Sequence, residues 1–167
     1  MAQKHGLHLD VVSAGELYVA LQAGFPGERI SMHGNVKTAQ ELEMAMTNQV
    51  TLIADSLDEL EDIEAMASKL GVRAKVMLRV TPGIEAHTHE YIKTGTYDCK
   101  FAVGIIDGQA MQGVQTIIAS AHMDFKGIHC HIGSQILAEE PYEPAGANMA
   151  EFADVYKRQV DGLFCCC

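Results

Sequence analysis

The stretch Val50–Glu59, which reads VTLIADSLDE, joins an apolar run to a helix-start signal and decides the class of fold. Val50–Ala54 is short, apolar and rich in β-branched residues, which is typical of a buried strand. Ser56-Leu57-Asp58-Glu59 fits S/T-x-x-E, the capping box in which a hydroxyl and a carboxylate satisfy the first amides of a helix. The stretch therefore predicts a strand followed at once by a helix.

The same unit recurs along the chain. Strands are predicted at Leu9–Val12, Arg29–His33, Val50–Ala54, Ala74–Val80 and Phe125–His131. Capping boxes also occur at Ser13–Glu16 and Thr38–Glu41, and we expect Gly24, Asn48 and Gly71 to close helices in a left-handed conformation. Two further helices are predicted, at Gln109–Ser120 and from Pro141, in its first turn, to about Asp154.

Alternation of strands and helices without hairpin signals predicts a parallel sheet covered by helices. A barrel and a doubly wound open sheet both fit this alternation. No Gly-x-Gly-x-x-Gly follows the first strand, which disfavours the dinucleotide-binding version of the doubly wound fold.

Composition excludes several kinds of partner. The 167 residues carry 12 Lys and Arg against 22 Asp and Glu, a net charge of −10, so no basic surface is expected for nucleic acid. No stretch approaches the about 18 apolar residues of a membrane span. Met1–Asp10 has no signal-peptide pattern, and the five cysteines lack the spacing of a disulfide framework. We expect a cytoplasmic protein.

Polar residues at the carboxyl ends of the strands are the candidates for chemistry, because parallel α/β folds bind ligands there. They are Asp10, Ser13, His33, Asn35, Lys37, Asp55, Arg79, Thr81, His129, His131 and Ser134. Asp10 lies in an apolar run, where a buried acid needs a partner or a function. Arg79 must find an acceptor near its strand end. For Ser13 and Glu16, helix capping and a role in chemistry are about equally favoured. For Asp55, a structural role is favoured.

His129-Cys130-His131 has two interpretations. A period of two places both imidazoles on one face of a strand, as a metal pair that Asp10 could complete. Alternatively, one imidazole stacks on a flat cofactor, and Ser134, after Gly133, binds a phosphate. Spacing alone does not choose between them.

Four stretches resemble the barrel-type pyridoxal-phosphate (PLP) decarboxylases of ornithine, arginine and diaminopimelate. They are Leu9–Leu17, His33–Lys37, Leu78–His89 and Gly127–Ile136. The resemblance runs from residue 1 to about 154, and Thr81–His89 with Gln135-Ile136 resembles the diaminopimelate branch. It implies an α/β fold, an incomplete (β/α)8 TIM barrel with about five of its eight units, namely strands two to six.

The resemblance also implies a function and a set of site residues. The cofactor would be PLP and the reaction the decarboxylation of meso-2,6-diaminopimelate to L-lysine and CO2, by a homodimeric parent enzyme without a metal. His131 matches the histidine stacked on the cofactor ring, and Ser134, after Gly133, matches the serine at the phosphate. Catalytic and cofactor-pocket positions are matched by His131, Asp10, Arg79 and Glu16.

Departures from the family pattern lead to further expectations. The lysine that carries the cofactor lies ahead of the first matching stretch, so we expect this chain alone to be inactive. The family pattern Lys-Phe-Gly is replaced by Lys100-Phe101-Ala102. Residues 155–167 do not match and are interpreted as an artefact of truncation or assembly, which leaves 1–154 as the partial barrel domain.

Two alternatives stay open at this stage. A metal-dependent barrel hydrolase would use His129 and His131 as ligands. A PLP-barrel racemase or cofactor-binding protein would share the fold without the Thr81–His89 run.

Overall fold

A computed structural model describes residues 2–83, 102–137 and 139–157 of the chain. The strands are β1 (Leu9–Val11), β2 (Ile30–Met32), β3 (Thr51–Ala54), β4 (Ala74–Thr81), β5 (Val103–Gly104) and β6 (Met123–His129). The helices are α1 (Ala14–Gln22), α2 (Ala39–Thr47), α3 (Leu57–Leu70), α4 (Gln109–Ala119) and α5 (Tyr142–Lys157). Short 3-10 turns lie at Ala2–His5 and Gly27–Arg29.

The strands form one parallel sheet in which neighbours along the sheet follow one another along the chain. β1 pairs with β2, β2 with β3, β3 with β4, and β4 with β6, all in parallel. The short β5 pairs with the last two residues of β4. This order has no reversal point within the described residues, so the sheet is singly wound like a (β/α)8 barrel, not doubly wound.

The predicted elements are confirmed to within a few residues. β5 was not predicted, because two residues are too short to carry a periodic signal. Pro141 directly precedes α5 instead of lying in its first turn, and the helix continues past Asp154 to Lys157. The Thr81–His89 run and the Lys100–Ala102 pattern lie largely outside the described residues. No helix among the described residues is long and apolar enough to cross a membrane.

The three helix-start signals all cap helices, but only one makes the full reciprocal box. Thr38 and Glu41 exchange both hydrogen bonds at the start of α2. At the starts of α1 and α3, the cap hydroxyl accepts a hydrogen bond from the backbone N–H of the glutamate, as expected. The glutamate carboxylate, however, accepts the N–H of the residue that precedes the cap. Glu16 Oε2 receives the amide of Val12 at 2.7 Å, and Glu59 Oε2 receives that of Asp55 at 2.8 Å. These two glutamates therefore hold the strand exits as well as the helix starts.

The helix ends differ from the prediction at one position. Gly24 and Gly71 have φ of 75° and 66°, as expected for left-handed residues after α1 and α3. After α2, Asn48 keeps a negative φ and the left-handed residue is Gln49, with φ of 62°. Asn48 instead donates its side-chain amide to the carbonyl of Met44, which satisfies one of the last carbonyls of the helix.

The two faces of the sheet have different partners. Val11, Met32, Leu52 and Leu78 point to the helices and are at most 2% exposed, within one hydrophobic core. The opposite face carries the candidate residues of the site. Burial of apolar side chains on the helix face is the main stabilising contribution, at about 1.5–3 kcal/mol for each large side chain.

A β-bulge in β6 reverses which side of the strand faces the helices. Val76 pairs with Phe125, but the next residue, Met77, pairs with Gly127, so Lys126 is an extra residue. Phe125 packs on the helix side, with its ring 5.5 Å from that of Tyr156 in α5. Without the extra residue, His129 would share the face of Phe125, because side chains alternate along a strand. The bulge therefore turns His129 away from the helices.

Ala102 occupies a conformation that favours glycine. Its φ is 71°, and this left-handed conformation costs a residue other than glycine about 1–2 kcal/mol relative to the right-handed one. The glycine that the resemblance implies at this position would adopt this conformation without that cost. We expect Ala102→Gly to raise the free energy of unfolding by about 0.5–1 kcal/mol, after the entropy that glycine loses on folding. Urea unfolding measures the change.

Ala65→Gly is the matched control for Ala102→Gly. Ala65 is exposed in the middle of α3, where glycine should lower the free energy of unfolding by about 0.5–1 kcal/mol. The same chemical change should thus have opposite signs at the two positions. A loss of stability in Ala102→Gly would contradict the strain assigned to Ala102.

Candidate functional site

A cavity of about 380 Å³ opens at the carboxyl ends of the strands. Its volume falls in the range of roughly 300–1,000 Å³ that is usual for small-molecule sites. The lining residues are Asp10, Val12, His33, Gly34, Asn35, Asp55, Arg79, His129 and His131. Every one of them comes from the end of a strand or from the residues that directly follow it. We call this cavity the strand-end pocket.

The sheet register explains why these side chains meet. Asp10 pairs with Ser31 across β1 and β2, and Arg79 pairs with His129 across β4 and β6. Paired residues of parallel strands point to the same face, and residues two positions apart do so as well. His33 therefore continues the face of Ser31 just past the end of β2. The face opposite to the helix-packed core becomes the floor of the pocket.

Arg79 is held inside the pocket by an acid of the neighbouring strand. Its Nη1 lies 3.2 Å from Oδ1 of Asp55, and the two side chains are 12% and 4% exposed. The prediction that Arg79 needs an acceptor near its strand end is confirmed. Asp55 is therefore part of the pocket and not only a residue that precedes a helix. Its second oxygen, Oδ2, is buried and has no hydrogen-bond partner among the described residues.

A buried ion pair lies behind the pocket and supports its rim. Lys37 Nζ donates to Oε1 of Glu59 at 2.6 Å, and to the carbonyls of Gly34 at 2.8 Å and Ile53 at 2.6 Å. The other oxygen of Glu59 accepts the amide of Asp55. Burial raises the pKa of the Glu59 carboxyl, and the charge of Lys37 opposes that rise. Lys37 therefore ties the loop after β2 to the end of β3.

Three histidines in the pocket have lowered pKa values. Burial lowers the pKa of His129 to about 4, and the charges of His33, Arg79 and His131 add to the effect. Burial also lowers the pKa of His33, although Asp10, whose Oδ1 is 3.5 Å from its Nε2, works against that shift. The pKa of His131 is also lowered, by partial desolvation first and by the charge of the nearby Arg79 second. In all three residues the shift favours the neutral imidazole.

The structure brings part of the predicted set together. Asp10, Arg79 and His131 all line the strand-end pocket, as do the further candidates His33, Asn35, Asp55 and His129. Glu16, Gly133 and Ser134 are not among the lining residues. Gly133 and Ser134 follow His131 in the next loop, where Gly133 has φ of 140° and Ser134 is exposed.

Two sequence-based interpretations need correction. Asp10 is not a buried acid, since its side chain is 70% exposed. Among the described residues β1 pairs only with β2, so one side of Asp10 has no neighbouring strand. Glu16 lies exposed in the first turn of α1, where it holds the amide of Val12. It therefore acts on the pocket only through Val12, which is a lining residue.

Three further residues have roles that the sequence did not predict. Glu59 was recognised only as a capping residue, and its ion pair with Lys37, 22 positions earlier, carries no local sequence signal. Lys37 was a candidate for chemistry, but its three hydrogen bonds make it a structural cation. Thr81, the last residue of β4, is buried and does not line the cavity.

The metal-site alternative finds little support in the described ranges. Within residues 2–83, 102–137 and 139–157, no group of three or more His, Cys, Asp or Glu side chains is arranged to hold a metal ion. His33 and His129 instead meet edge to face, with ring centroids 4.9 Å apart and planes at 71°. Such contacts are typical of packed neutral rings.

These features define a singly wound, barrel-type α/β protein with a small-molecule pocket at the carboxyl ends of its strands. A family model described as "Pyridoxal-dependent decarboxylase, pyridoxal binding domain" matches residues 1–162. The chain therefore belongs to the family of pyridoxal-dependent decarboxylases, and the family resemblance inferred from its sequence is confirmed.

Individual relatives agree with this assignment. The diaminopimelate decarboxylase of Bacillus methanolicus is 50% identical over 137 residues, which are 81% of this chain and 32% of that protein. The crystal structure of diaminopimelate decarboxylase from Helicobacter pylori, complexed with L-lysine, matches with a TM-score of 0.85 and 37% identity over 90% of this chain and 38% of that one. The enzyme from M. jannaschii, also with L-lysine, matches with a TM-score of 0.85 and 32% identity over 95% and 37% of the two chains. The chain thus spans about a third of the length of these relatives.

Proposed function

We propose that this chain forms the cofactor pocket of a PLP-dependent decarboxylase that converts meso-2,6-diaminopimelate to L-lysine and CO2. The observation that carries the proposal is the 50% identity to a diaminopimelate decarboxylase over 137 residues. In this family PLP serves as the electron sink when the substrate loses CO2. The residues of this chain bind and orient the cofactor and control the charge around it.

The strand-end pocket fits a flat, polar, anionic cofactor. Its lining includes His131 and Arg79, and two lining residues each keep a buried polar atom, Oδ2 of Asp55 and Nδ1 of His129, that has no hydrogen-bond partner among the described residues. Two carboxylates in the lining, Asp10 and Asp55, would repel a phosphate placed among them. The phosphate therefore suits the adjacent loop at Gly133 and Ser134, outside the lining, where backbone amides and a hydroxyl can bind it.

Each predicted site residue then has a definite task. His131 packs its ring on the cofactor, and Arg79 supplies a fixed positive charge that Asp55 keeps in place. Asp10 supplies an exposed carboxylate beside His33 for the reacting end of the substrate. Glu16 keeps the backbone of Val12 in position at the pocket wall.

A chimaeric enzyme tests the proposed decarboxylase activity. The 137 matching residues of the B. methanolicus enzyme are replaced by those of this chain, and the product is called the grafted enzyme. We expect it to bind PLP and to release CO2 from meso-2,6-diaminopimelate in preference to L-ornithine and L-arginine. Turnover of ornithine or arginine alone would overturn the substrate assignment. A grafted enzyme that takes up no PLP would overturn the cofactor assignment.

The role of His131 gives a quantitative prediction. In the grafted enzyme, His131→Ala should weaken equilibrium binding of PLP by about 2- to 10-fold, because the ring contact is worth about 0.5–1.5 kcal/mol. Fluorescence titration of the apoenzyme with PLP measures the dissociation constant. His8→Ala is the control, since His8 is exposed ahead of β1 and does not line the pocket. Equal losses in both variants would contradict a direct contact with His131.

The same proposal includes a homodimeric whole protein in the cytoplasm. Val36 and Leu137 are 81% and 97% exposed on loops that follow β2 and β6 at the pocket end of the sheet. Large exposed apolar side chains at one end of a protein favour a contact with another chain. Light scattering of the grafted enzyme tests the dimer, and Val36→Ser with Leu137→Ser should weaken it. A dimer unaffected by both changes would place the interface elsewhere.

A further inference from the structure

One carboxylate of the pocket meets a histidine to which the proposed function gives no task. The side chain of Asp10 is 70% exposed, and its Oδ1 lies 3.5 Å from Nε2 of His33. Both residues line the strand-end pocket. Within the part of the chain that the structure describes, the carboxylate of Asp10 makes no other ion pair or hydrogen bond. The orientation of this exposed acid therefore depends on His33.

The backbone keeps the two residues side by side. Asp10 pairs with Ser31 in the sheet, and His33 lies two positions beyond Ser31 on the same face. The amide of His33 donates a hydrogen bond to the carbonyl of Val11 at 2.8 Å, so the two strands stay joined just past the end of β2. The imidazole thus begins from a fixed point next to the Asp10 side chain.

The imidazole is the more rigid of the two partners. The side chain of His33 is only 16% exposed, and its ring meets that of His129 edge to face, with 4.9 Å between the centroids. A side chain packed on another ring has little freedom to turn. An exposed side chain, by contrast, changes rotamer on the picosecond to nanosecond timescale unless a partner holds it. The ring therefore sets the direction of the carboxylate, and not the reverse.

The surroundings of His33 favour its neutral form. Burial lowers the pKa of His33, and the charge of Asp10 opposes this fall. The cations Arg79 and Lys37 lower the pKa further, while Asp55 opposes them. A neutral imidazole carries one N–H, and on Nε2 this donor faces the carboxylate of Asp10. It can hold the carboxylate without cancelling its negative charge.

We propose that His33 is a positioning residue, whose Nε2–H holds the Asp10 carboxylate in the direction in which it meets a cationic amino group of the substrate. This inference rests on the proposed function above. Catalytic hydrogen bonds are often long before the substrate binds and shorten in the complex. The separation of 3.5 Å between Nε2 and Oδ1 is compatible with a contact of this kind.

A double-mutant cycle in the grafted enzyme tests whether His33 acts through Asp10. His33→Leu should lower kcat/KM for meso-2,6-diaminopimelate by about 2- to 10-fold, the usual effect of one lost hydrogen bond. In an Asp10→Ala background the same change should have less than about a twofold effect, because the group that His33 holds is gone. Equal losses in the two backgrounds would show that His33 does not act through Asp10.

Two amide variants locate the contact at Nε2. The side-chain amide of glutamine reaches about as far as Nε2 of histidine, whereas that of asparagine ends near the place of Nδ1. His33→Gln should keep kcat/KM within about twofold of the parent, and His33→Asn should lose as much as His33→Leu. Melting temperatures show whether each variant folds. Equal activity of the two amide variants overturns the inference, and so does a loss of activity that only follows the melting temperature.

A further readout needs neither cofactor nor turnover. Nitrogen NMR spectra of the grafted apoenzyme with labelled histidine show which ring nitrogen of His33 carries the proton at neutral pH, and the signal is assigned by its loss in His33→Gln. We expect the proton on Nε2. A proton on Nδ1 alone overturns the inference even if the grafted enzyme is active. A grafted enzyme that releases no CO2 but carries this proton on Nε2 overturns the proposed function and supports the contact between His33 and Asp10.

Discussion

Replacing Lys37 with methionine is expected to lower the free energy of unfolding by about 3–5 kcal/mol, the largest effect of any single substitution considered for this protein. The side chains of Lys37 and Glu59 are 1% and 7% exposed. Methionine fills most of the same space but leaves the carboxylate of Glu59 buried without its partner charge. It also leaves the carbonyls of Gly34 and Ile53 without the donor that they have now. Urea unfolding of the full chain measures the loss.

A surface pair of the same length supplies the control. Lys126 Nζ lies 2.6 Å from Oδ2 of Asp124, the same separation as between Lys37 and Glu59, but these side chains are 41% and 44% exposed. Lys126→Met should cost at most about 1 kcal/mol, because water solvates both groups when the pair is broken. Similar losses in the two lysine variants would contradict the argument from burial.

A double variant tests whether the unpaired charge of Glu59 causes the loss of stability in Lys37→Met. Glu59→Gln removes the charge but keeps an amide oxygen that can accept the N–H of Asp55. Adding it to Lys37→Met should therefore recover part of the lost stability, as removing both charges of a buried pair does elsewhere. A double variant less stable than Lys37→Met alone would show that the ion pair is not the source of the effect.

The second large effect is a loss of stability in mild acid. His129 has a pKa of about 4 in the folded chain, against 6.5 for the free side chain, mainly because burial penalises the imidazolium. The unfolded chain therefore binds this proton more readily than the folded one. Its contribution to stability is complete above pH 6.5 and is lost as the pH falls from 6.5 to about 4. The pKa difference corresponds to about 2–3 kcal/mol, after some solvent screening at the pocket mouth.

The pH effect is measured as a difference between the parent and His129→Leu. The lowered pKa values of His33 and His131 act in the same direction, whereas the raised pKa of Glu59 acts in the opposite one. Subtracting the two pH profiles of urea unfolding isolates His129. As the pH is lowered from 7 to 4, the free energy of unfolding of the leucine variant should rise by about 2–3 kcal/mol relative to that of the parent. The same difference is expected at raised salt. Parallel profiles would contradict a neutral, buried His129.

Much of the fold could be predicted because its signals are local. Val50–Glu59 contains a strand, a capping hydroxyl and a helix start, and the structure places β3 and α3 there. Strand order and the exact residue that ends a helix depend on contacts with distant segments. The left-handed residue after α2 is Gln49 and not Asn48 for this reason, since Asn48 is already engaged with Met44.

The site was only partly predictable. Asp10, Arg79 and His131 were identified as pocket residues and do line one cavity. The burial assumed for Asp10 was wrong, because the exposure of a strand residue depends on what lies beside its strand. The ion pair of Glu59 with Lys37 was missed, since it joins residues 22 positions apart and leaves no pattern in either segment.

The sequence by itself determined the alternation of strands and helices, the candidate residues at the strand ends and the resemblance to one family. Each of these depends on residues that are close together in the chain or on whole motifs. Only the tertiary structure decided the singly wound order, the bulge at Lys126 and the pairing of Arg79 with Asp55. One extra residue in a strand exchanges its two faces, and the cost of burying a charge depends on every neighbour around it. Both are properties of packed elements and not of any one segment.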